Sequence, residues 1–258
     1  MKKATILHLF LFVSFITAAQ TYSVTYNVRQ NPNRVTRVQN SDNLPAGVKQ
    51  ALMAELKKDD SAQAVIKIYT LTCCNGVSTY AIFQNKKSAE QAPSLENQSG
   101  IIIQKMTMGD NTGVLYKNFS NKIMLKQSAI FDKPFLITDS LQSVNWDIDT
   151  ATKTIGKFNC TKATATINGQ QVEAWFTADI PIPDGPDKFY GLPGLILAVK
   201  TQNGNYEATE IKITNENTAL QQPTKGTVMT GAEFDQLIKK KRNDIKNSFP
   251  SGGFFEVK

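Results

Sequence analysis

The chain predicts a mainly β fold, a single curved antiparallel sheet with two helices, and three observations carry that expectation. Ten short segments rich in Val, Ile, Thr, Tyr and Phe recur along its 258 residues, a composition that suits the pleated, half-buried surface of a strand. Three Asn-Gly pairs, Asn75-Gly76, Asn168-Gly169 and Asn203-Gly204, separate such segments, and Asn-Gly supplies the positive φ that a two-residue hairpin turn requires. Residues 173–180 alternate, with Ala174, Phe176, Ala178 and Ile180 on one face and Glu173, Trp175, Thr177 and Asp179 on the other, the pattern of a sheet with one buried face. A sheet of about ten strands curls or is covered, so a closed β-barrel or a two-sheet sandwich is the alternative.

In chain order, residues 1–19 are set aside first. Lys2 and Lys3 precede an apolar run from Ile6 to Ile16, and the small residues Thr17, Ala18 and Ala19 follow. This is the layout of a secretory signal peptide cleaved after Ala19, and the run is shorter than the roughly 20 apolar residues of a membrane span. Residues 20–258 then read as a single domain, because no repeat, low-complexity tract or linker interrupts them. The strand-like segments are 22–28, 64–72, 78–83, 101–108, 114–119, 122–130, 154–167, 171–180, 195–200 and 206–213, with the polar stretch 84–99 a long loop inside the sheet. Residues 45–58 carry apolar residues at helical spacing, Leu52, Met53 and Leu56, and end on basic residues, as helices do at their C-termini. A second helix begins at Thr230, where Glu233 three residues on forms a capping box ahead of Phe234, Leu237 and Ile238.

Composition removes several function classes. With 41% hydrophobic and 20% charged residues and a mean hydropathy of -0.28, the chain is neither disordered nor a polytopic membrane protein. The net charge is +7. The only His is His8, inside the signal segment, so the mature chain has no imidazole for a Ser-His-Asp triad, a Cys-His pair or a His-bearing zinc site. No G-x-S-x-G, S-x-x-K, G-x-G-x-x-G or Walker-type loop occurs, which removes the nucleophile elbow and the phosphate cradles. The run Lys239, Lys240, Lys241 and Arg242 has no interleaved aromatics and reads as a solvated helix face, so nucleic acid is not expected as a partner.

The remaining chemistry-bearing residues are few. Cys73, Cys74 and Cys160 are the three cysteines. Neighbouring strand residues point to opposite faces, so any bridge joins Cys160 to Cys73 or to Cys74 and never to both; three free thiols or a Cys73-Cys74 bridge are the other outcomes. Without C-x-x-C spacing or His they make no metal site. Asp147 and Asp149 beside Trp146, and Asp179, Asp184 and Asp187 in a Pro-rich stretch, are carboxylates that could pair for acid-base work, although Asp in turns bonds its own backbone more often. Asp147-x-Asp149 lacks the Gly and distal Glu of a calcium loop. Trp146, Trp175 and Phe176 are the candidate binding aromatics. No catalytic residue, metal ligand or cofactor is assigned.

A run of motifs between residues 135 and 200 carries a resemblance: Phe135-Leu136-Ile137-Thr138-Asp139-Ser140-Leu141, Trp146, Cys160-Thr161-Lys162-Ala163, Ala174-Trp175-Phe176-Thr177, Asp179-Ile180-Pro181, Gly185-Pro186 and Gly191-Leu192-Pro193-Gly194-Leu195-Ile196. In this order they resemble the GLPGLI family, exported proteins typical of Bacteroidetes, and the resemblance implies a compartment without implying a mechanism. Physically, Gly191 and Gly194 admit positive φ, and Pro193 holds Leu192 extended. The six residues read as a structural turn feeding a strand buried on both faces, with Leu192 lightly packed; recognition by an exposed Leu192 and the backbone is the alternative role.

The combined expectation is an exported protein of the periplasm or outer cell envelope, soluble after signal cleavage. Its sheet is similar to the half-barrel of periplasmic lipoprotein carriers, an analogy of fold alone. The function expected is a non-enzymatic binding or carrier module for an apolar ligand, a lipid or a lipidated protein. The alternatives are an Asp-dependent hydrolase acting on glycans and an accessory subunit of an outer-membrane complex.

Overall fold

The computed structural model describes residues 20–30, 34–38, 50, 66–83, 95–96, 102–107, 113–130, 133–247 and 254–256. Their strands are β1 (Thr21–Gln30), β2 (Arg34–Val38), β3 (Ile66–Cys74), β4 (Val77–Ile82), β5 (Leu95–Glu96), β6 (Ile102–Thr107), β7 (Leu115–Asn118), β8 (Ile123–Ile130), β9 (Lys133–Ser140), β10 (Asp147–Ile155), β11 (Phe158–Ile167), β12 (Gln170–Thr177), β13 (Leu195–Thr201), β14 (Gly204–Thr214), β15 (Thr227–Met229) and β16 (Phe254–Glu256), and the helix is α1 (Gly231–Asn247). Twelve strands form one sheet in the order β10-β11-β12-β13-β14-β1-β3-β4-β7-β8-β9-β15, and β16-β2-β6-β5 form a smaller one. The expected signal peptide, the helix at 45–58 apart from Gln50, which is helical, and most of the loop at 84–99 lie outside the described residues.

The large sheet is open, since among the described residues no ladder joins β10 to β15; the closed barrel is not formed. Its curvature follows from one short connection. Nine strands stand between β9 and β10 in the sheet, about 48 Å if it were flat. Residues 141–146 link the two strands, and a link of that length reaches about 25 Å. The sheet therefore curls until its two ends approach each other.

Local chemistry accounts for most of the hairpins. Asn75 and Gly76 sit at φ 51 and 72, and Asn168 and Gly169 at φ 50 and 76, the left-handed pair that a tight turn between right-twisted strands needs. The third hairpin turns one residue earlier than its Asn-Gly, at Gln202 and Asn203, since Thr201 pairs with Gly204. The segment expected as one strand over 154–167 is broken by a turn at Gly156 and Lys157, which separates β10 from β11. All pairings in the large sheet are antiparallel except β15 on β9.

The capping box at α1 forms: Thr230 N donates to Glu233 Oε2 at 2.8 Å, and Glu233 N donates to Thr230 Oγ1 at 3.3 Å. Asp139 on β9 accepts from Gly231 N at 3.1 Å. Phe234 packs edge-on against Phe135, 5.6 Å between centroids, so α1 covers β9. No helix among the described residues is long and apolar enough to cross a membrane. The main core lies on the inner face of β1, β3, β4, β7 and β11–β14, with Val24, Tyr26, Leu71, Tyr80, Leu115, Ala163, Ala174 and Val199 buried together.

Candidate functional site

Residues 178–194 connect β12 to β13 and fold back over this inner face. Three prolines at 181, 183 and 186 keep the segment extended and out of any ladder. Backbone bonds pin it down: Leu195 N donates to Ile180 O at 3.0 Å, Ile196 N to Asp184 O at 2.9 Å, and Gly191 N to Pro183 O at 3.0 Å. Ile180, Phe189 and Leu192 enter the core at 2%, 2% and 1% exposure. Leu192 is thus a core residue, against the lightly packed position expected for it, because the segment returns across the sheet instead of projecting outward. Leu195, Ile196 and Leu197 are fully buried, and Tyr26 donates to Ile196 O at 2.6 Å. The two motif glycines differ in role. Gly191 has φ +93, whereas Gly194 lies outside the left-handed region and is required by proximity, since a Cβ there would stand 2.1 Å from Thr177 O.

The sheet register places a polar row beneath this segment. Tyr22 pairs with Cys73, Cys73 with Ser78, and Ser78 with Lys117, so four adjacent strands bring these side chains to one face. Lys117 and Asp184 are both 0% exposed and form an ion pair. Lys117 Nζ also donates to Gly185 O and Asp187 O, each at 3.0 Å, and Gly185 N donates to Asp184 Oδ1 at 2.7 Å. These bonds supply what a buried charge pair needs once removed from water. The Cys73 thiol lies 3.7 Å from Asp184 Oδ2; burial first, and the Asp184 charge second, push its pKa well up, so it stays a protonated donor. Tyr26 is held protonated chiefly by burial, with Cys73 and Asp184 adding to it. Ser78 Oγ and Tyr80 Oη are buried and have no protein partner.

A cleft of about 270 Å³ opens at this end of the row, lined by Gln20, Tyr22, Ser78, Phe119, Asp184 and the Asn75-Gly76 turn. Tyr22 Oη donates to Gln20 Oε1 at 2.7 Å, and the Phe119 ring meets Tyr190 edge-on at 6.1 Å.

The residues singled out from sequence are spread over several places. The three cysteines are free and buried. The conditional bridge from Cys160 to Cys73 or Cys74 is not formed: four strands stand between β3 and β11 in the sheet, Cys74 lies under Asn217 at 3.4 Å, and Cys160 Sγ turns to Phe158 O. Trp146 Nε1 donates to Tyr190 O at 2.9 Å, which ties the link 141–146 to the residue before the motif. Trp175 is half-buried under the Lys153 ammonium, 4.3 Å from the ring centroid, and donates to Glu173; that bond is the main cause of the low Glu173 pKa. Phe176, on the opposite face of β12, is a core residue, so the three aromatics form no shared platform. Asp147 and Asp149 are exposed, and Asp149 accepts from the backbone of Thr150 and Ala151. Asp187 accepts from Tyr206 at 3.4 Å. Among the described residues no three His, Cys, Asp or Glu could hold a metal ion. Lys117 and Ser78 were not singled out; the available signal was that Lys117 shares the strand parity of buried Leu115.

Comparison with known proteins places this arrangement. A family model described as N-glycanase peptide, N-terminal domain, matches residues 56–240. Two solved structures of PNGF-II, in C2 and P21 crystals, superpose with a TM-score of 0.52 each at 16% and 17% identity, covering 86% of this chain. The chain spans about a third of the length of those solved chains, 33% and 34%. No curated protein matches the sequence. These findings overturn the GLPGLI resemblance: the family that matches most of the chain is the N-glycanase N-terminal domain.

Proposed function

The chain belongs to the N-glycanase peptide N-terminal domain family, and from that premise we propose that it is an exported, non-catalytic binding domain for the carbohydrate of glycoproteins. The observation that carries this reading is the state of Asp184, the one carboxylate among the described residues that line the cleft. Its charge is balanced by Lys117 and its Oδ1 is occupied by two donors, so it is neither free to attack nor paired with a second carboxylate, as glycoside hydrolysis requires. Asp147, Asp149 and Asp187 are tied elsewhere or face solvent. A lipid or other apolar cargo fits poorly, because residues 178–194 of the chain itself fill the inner face that a half-barrel carrier would offer. A cleft of about 270 Å³ is also at the small end of ligand sites, about 300 to 1,000 Å³.

The test is binding of the purified chain to an N-glycosylated protein and to the same protein stripped of its glycans, with released glycan measured in parallel. Saturable binding to the glycosylated form alone, with no glycan released, is the expected result. Equal binding to both forms overturns the carbohydrate reading. Glycan release that is lost in Asp184→Asn overturns the non-catalytic one and returns the Asp-dependent hydrolase.

A further inference from the structure

We infer that Gln20, once signal cleavage after Ala19 frees its α-amine, closes to a pyroglutamate at the edge of the cleft, and that the Tyr22 hydroxyl assists the closure. The inference is independent of the carbohydrate-binding reading and rests on the cleavage expected from Thr17, Ala18 and Ala19. In an N-terminal Gln the side-chain amide carbon lies within reach of the residue's own amine as a γ-lactam. Nucleophile and electrophile then sit on one residue, and the closure is unimolecular.

The fold fixes the chain up to this residue. Thr21 is buried and pairs with Thr214; its hydroxyl donates to Glu216 O, and Thr218 N donates to Thr21 Oγ1 at 3.3 Å. Gln20 is exposed and lines the cleft. Tyr22 stands two positions on, hence on the same side of the extended chain, and its hydroxyl donates to Gln20 Oε1 at 2.7 Å.

That bond falls on the atom where charge develops. As the amine nitrogen attacks Cδ, negative charge gathers on Oε1, where the Tyr22 O–H already points, and a donor positioned in this way lowers the barrier to acyl transfer. The Cδ–Nε2 bond then breaks, the proton released by the amine passes to Nε2, and ammonia leaves. No oxidant or co-reactant is consumed. The lactam keeps Oε1 as its carbonyl oxygen, so the bond to Tyr22 survives into the product.

The cleft suits the product better than the reactant. Val77, Phe119, Pro181, Ile182 and Pro183 give it apolar walls, and Asp184, the one carboxylate among the described residues that line it, is already held by Lys117. An N-terminal ammonium beside it lacks a free counter-ion there, whereas a neutral lactam needs none.

The experiment exports the full chain from a bacterial host through its own signal segment and follows the N-terminal peptide by mass spectrometry during incubation at neutral pH, for wild type and Tyr22→Phe. The expected peptide begins at residue 20, is lighter by one ammonia than its sequence requires, and is unblocked by pyroglutamyl aminopeptidase. Tyr22→Phe slows the conversion about two- to tenfold, the worth of one hydrogen bond, with an unchanged melting temperature, and in urea, which releases β1, the two proteins convert at one rate. A free Gln20 amine that persists through the incubation overturns the inference, as does a mature chain that begins elsewhere. Equal rates for folded wild type and folded Tyr22→Phe overturn it as well, because the fold then contributes nothing to the closure.

Discussion

Lys117 and Asp184 are each wholly removed from water, so either one alone would be a buried charge without a counter-ion. Lys117→Met is expected to destabilise by about 3 to 5 kcal/mol, and adding Asp184→Leu to recover a large part of that loss, because a buried ion pair replaced by packed apolar groups is often near neutral. Urea denaturation of the two variants decides it, and a double variant no more stable than the single would show that the bonds to Gly185 and Asp187 matter more than the charge balance. Cys73 gives the same site a pH dependence. Its folded pKa is raised, by burial first and by Asp184 second, above an ordinary value of about 8.5. Its contribution is therefore complete below about pH 8.5 and is lost as the pH rises beyond it. Urea midpoints are expected to fall between about pH 8.5 and 10, more shallowly in Cys73→Ala than in wild type; parallel declines would exclude this thiol as the source. At this scale the sequence was hard to read. Asp184 drew notice as one of several acids in a Pro-rich stretch, but its partner is 67 positions earlier, and only long-range register brings the two together.

At the scale of elements, the β12–β13 segment departs from the sequence expectation at Leu192. The six residues from Gly191 to Ile196 do feed a buried strand, but Leu192 is in the core, so Leu192→Ala is expected to cost about 2 to 5 kcal/mol, as Leu195→Ala does. Gly194→Val is expected to be at least as damaging, since its first side-chain carbon would meet Thr177 O. Thermal melts of the three variants are the check; a wild-type melt for Leu192→Ala would mean that the segment does not pack as described. Helix α1 offers an acid-side counterpart. The Thr230 backbone N–H, then its hydroxyl, hold the Glu233 pKa below the usual Glu range. Its contribution is present above about pH 4.3 and is lost as the pH falls through the lower folded value. Far-ultraviolet dichroism through that interval should show a shallower helix loss in Glu233→Gln than in wild type. Hairpins and the capping box were legible because their signals are local, as at Asn75-Gly76 and Thr230-x-x-Glu233. The turn at Gly156 was not, since alternation continues through it on both sides.

Over the whole molecule, a six-residue link sets the curl of a twelve-stranded sheet. The mainly β class was legible in strand composition, whereas the strand order was not, because nothing local tells β1 that its neighbours are β3 and β14. Exposure along the sheet is uneven. Every residue of β10 except Ile155 is exposed, while Val24, Tyr26, Leu71 and Leu195–Leu197 are at most 0% exposed. Amide hydrogen exchange should accordingly be fastest in β10 and slowest in β1, β3 and β13; uniform protection across the sheet would count against a core centred on those strands. The place of β1 also governs how the molecule can be assembled. It is the first of the described strands, yet Thr25 O accepts from Thr209, 184 positions later, and among the described residues it is the strand that pairs with β3 on one side and β14 on the other, joining the two halves of the large sheet. During synthesis β1 waits for residues 204–214 before its second neighbour exists. Such non-local closure is slow, and a nascent chain whose central strand is not yet closed stays threadable.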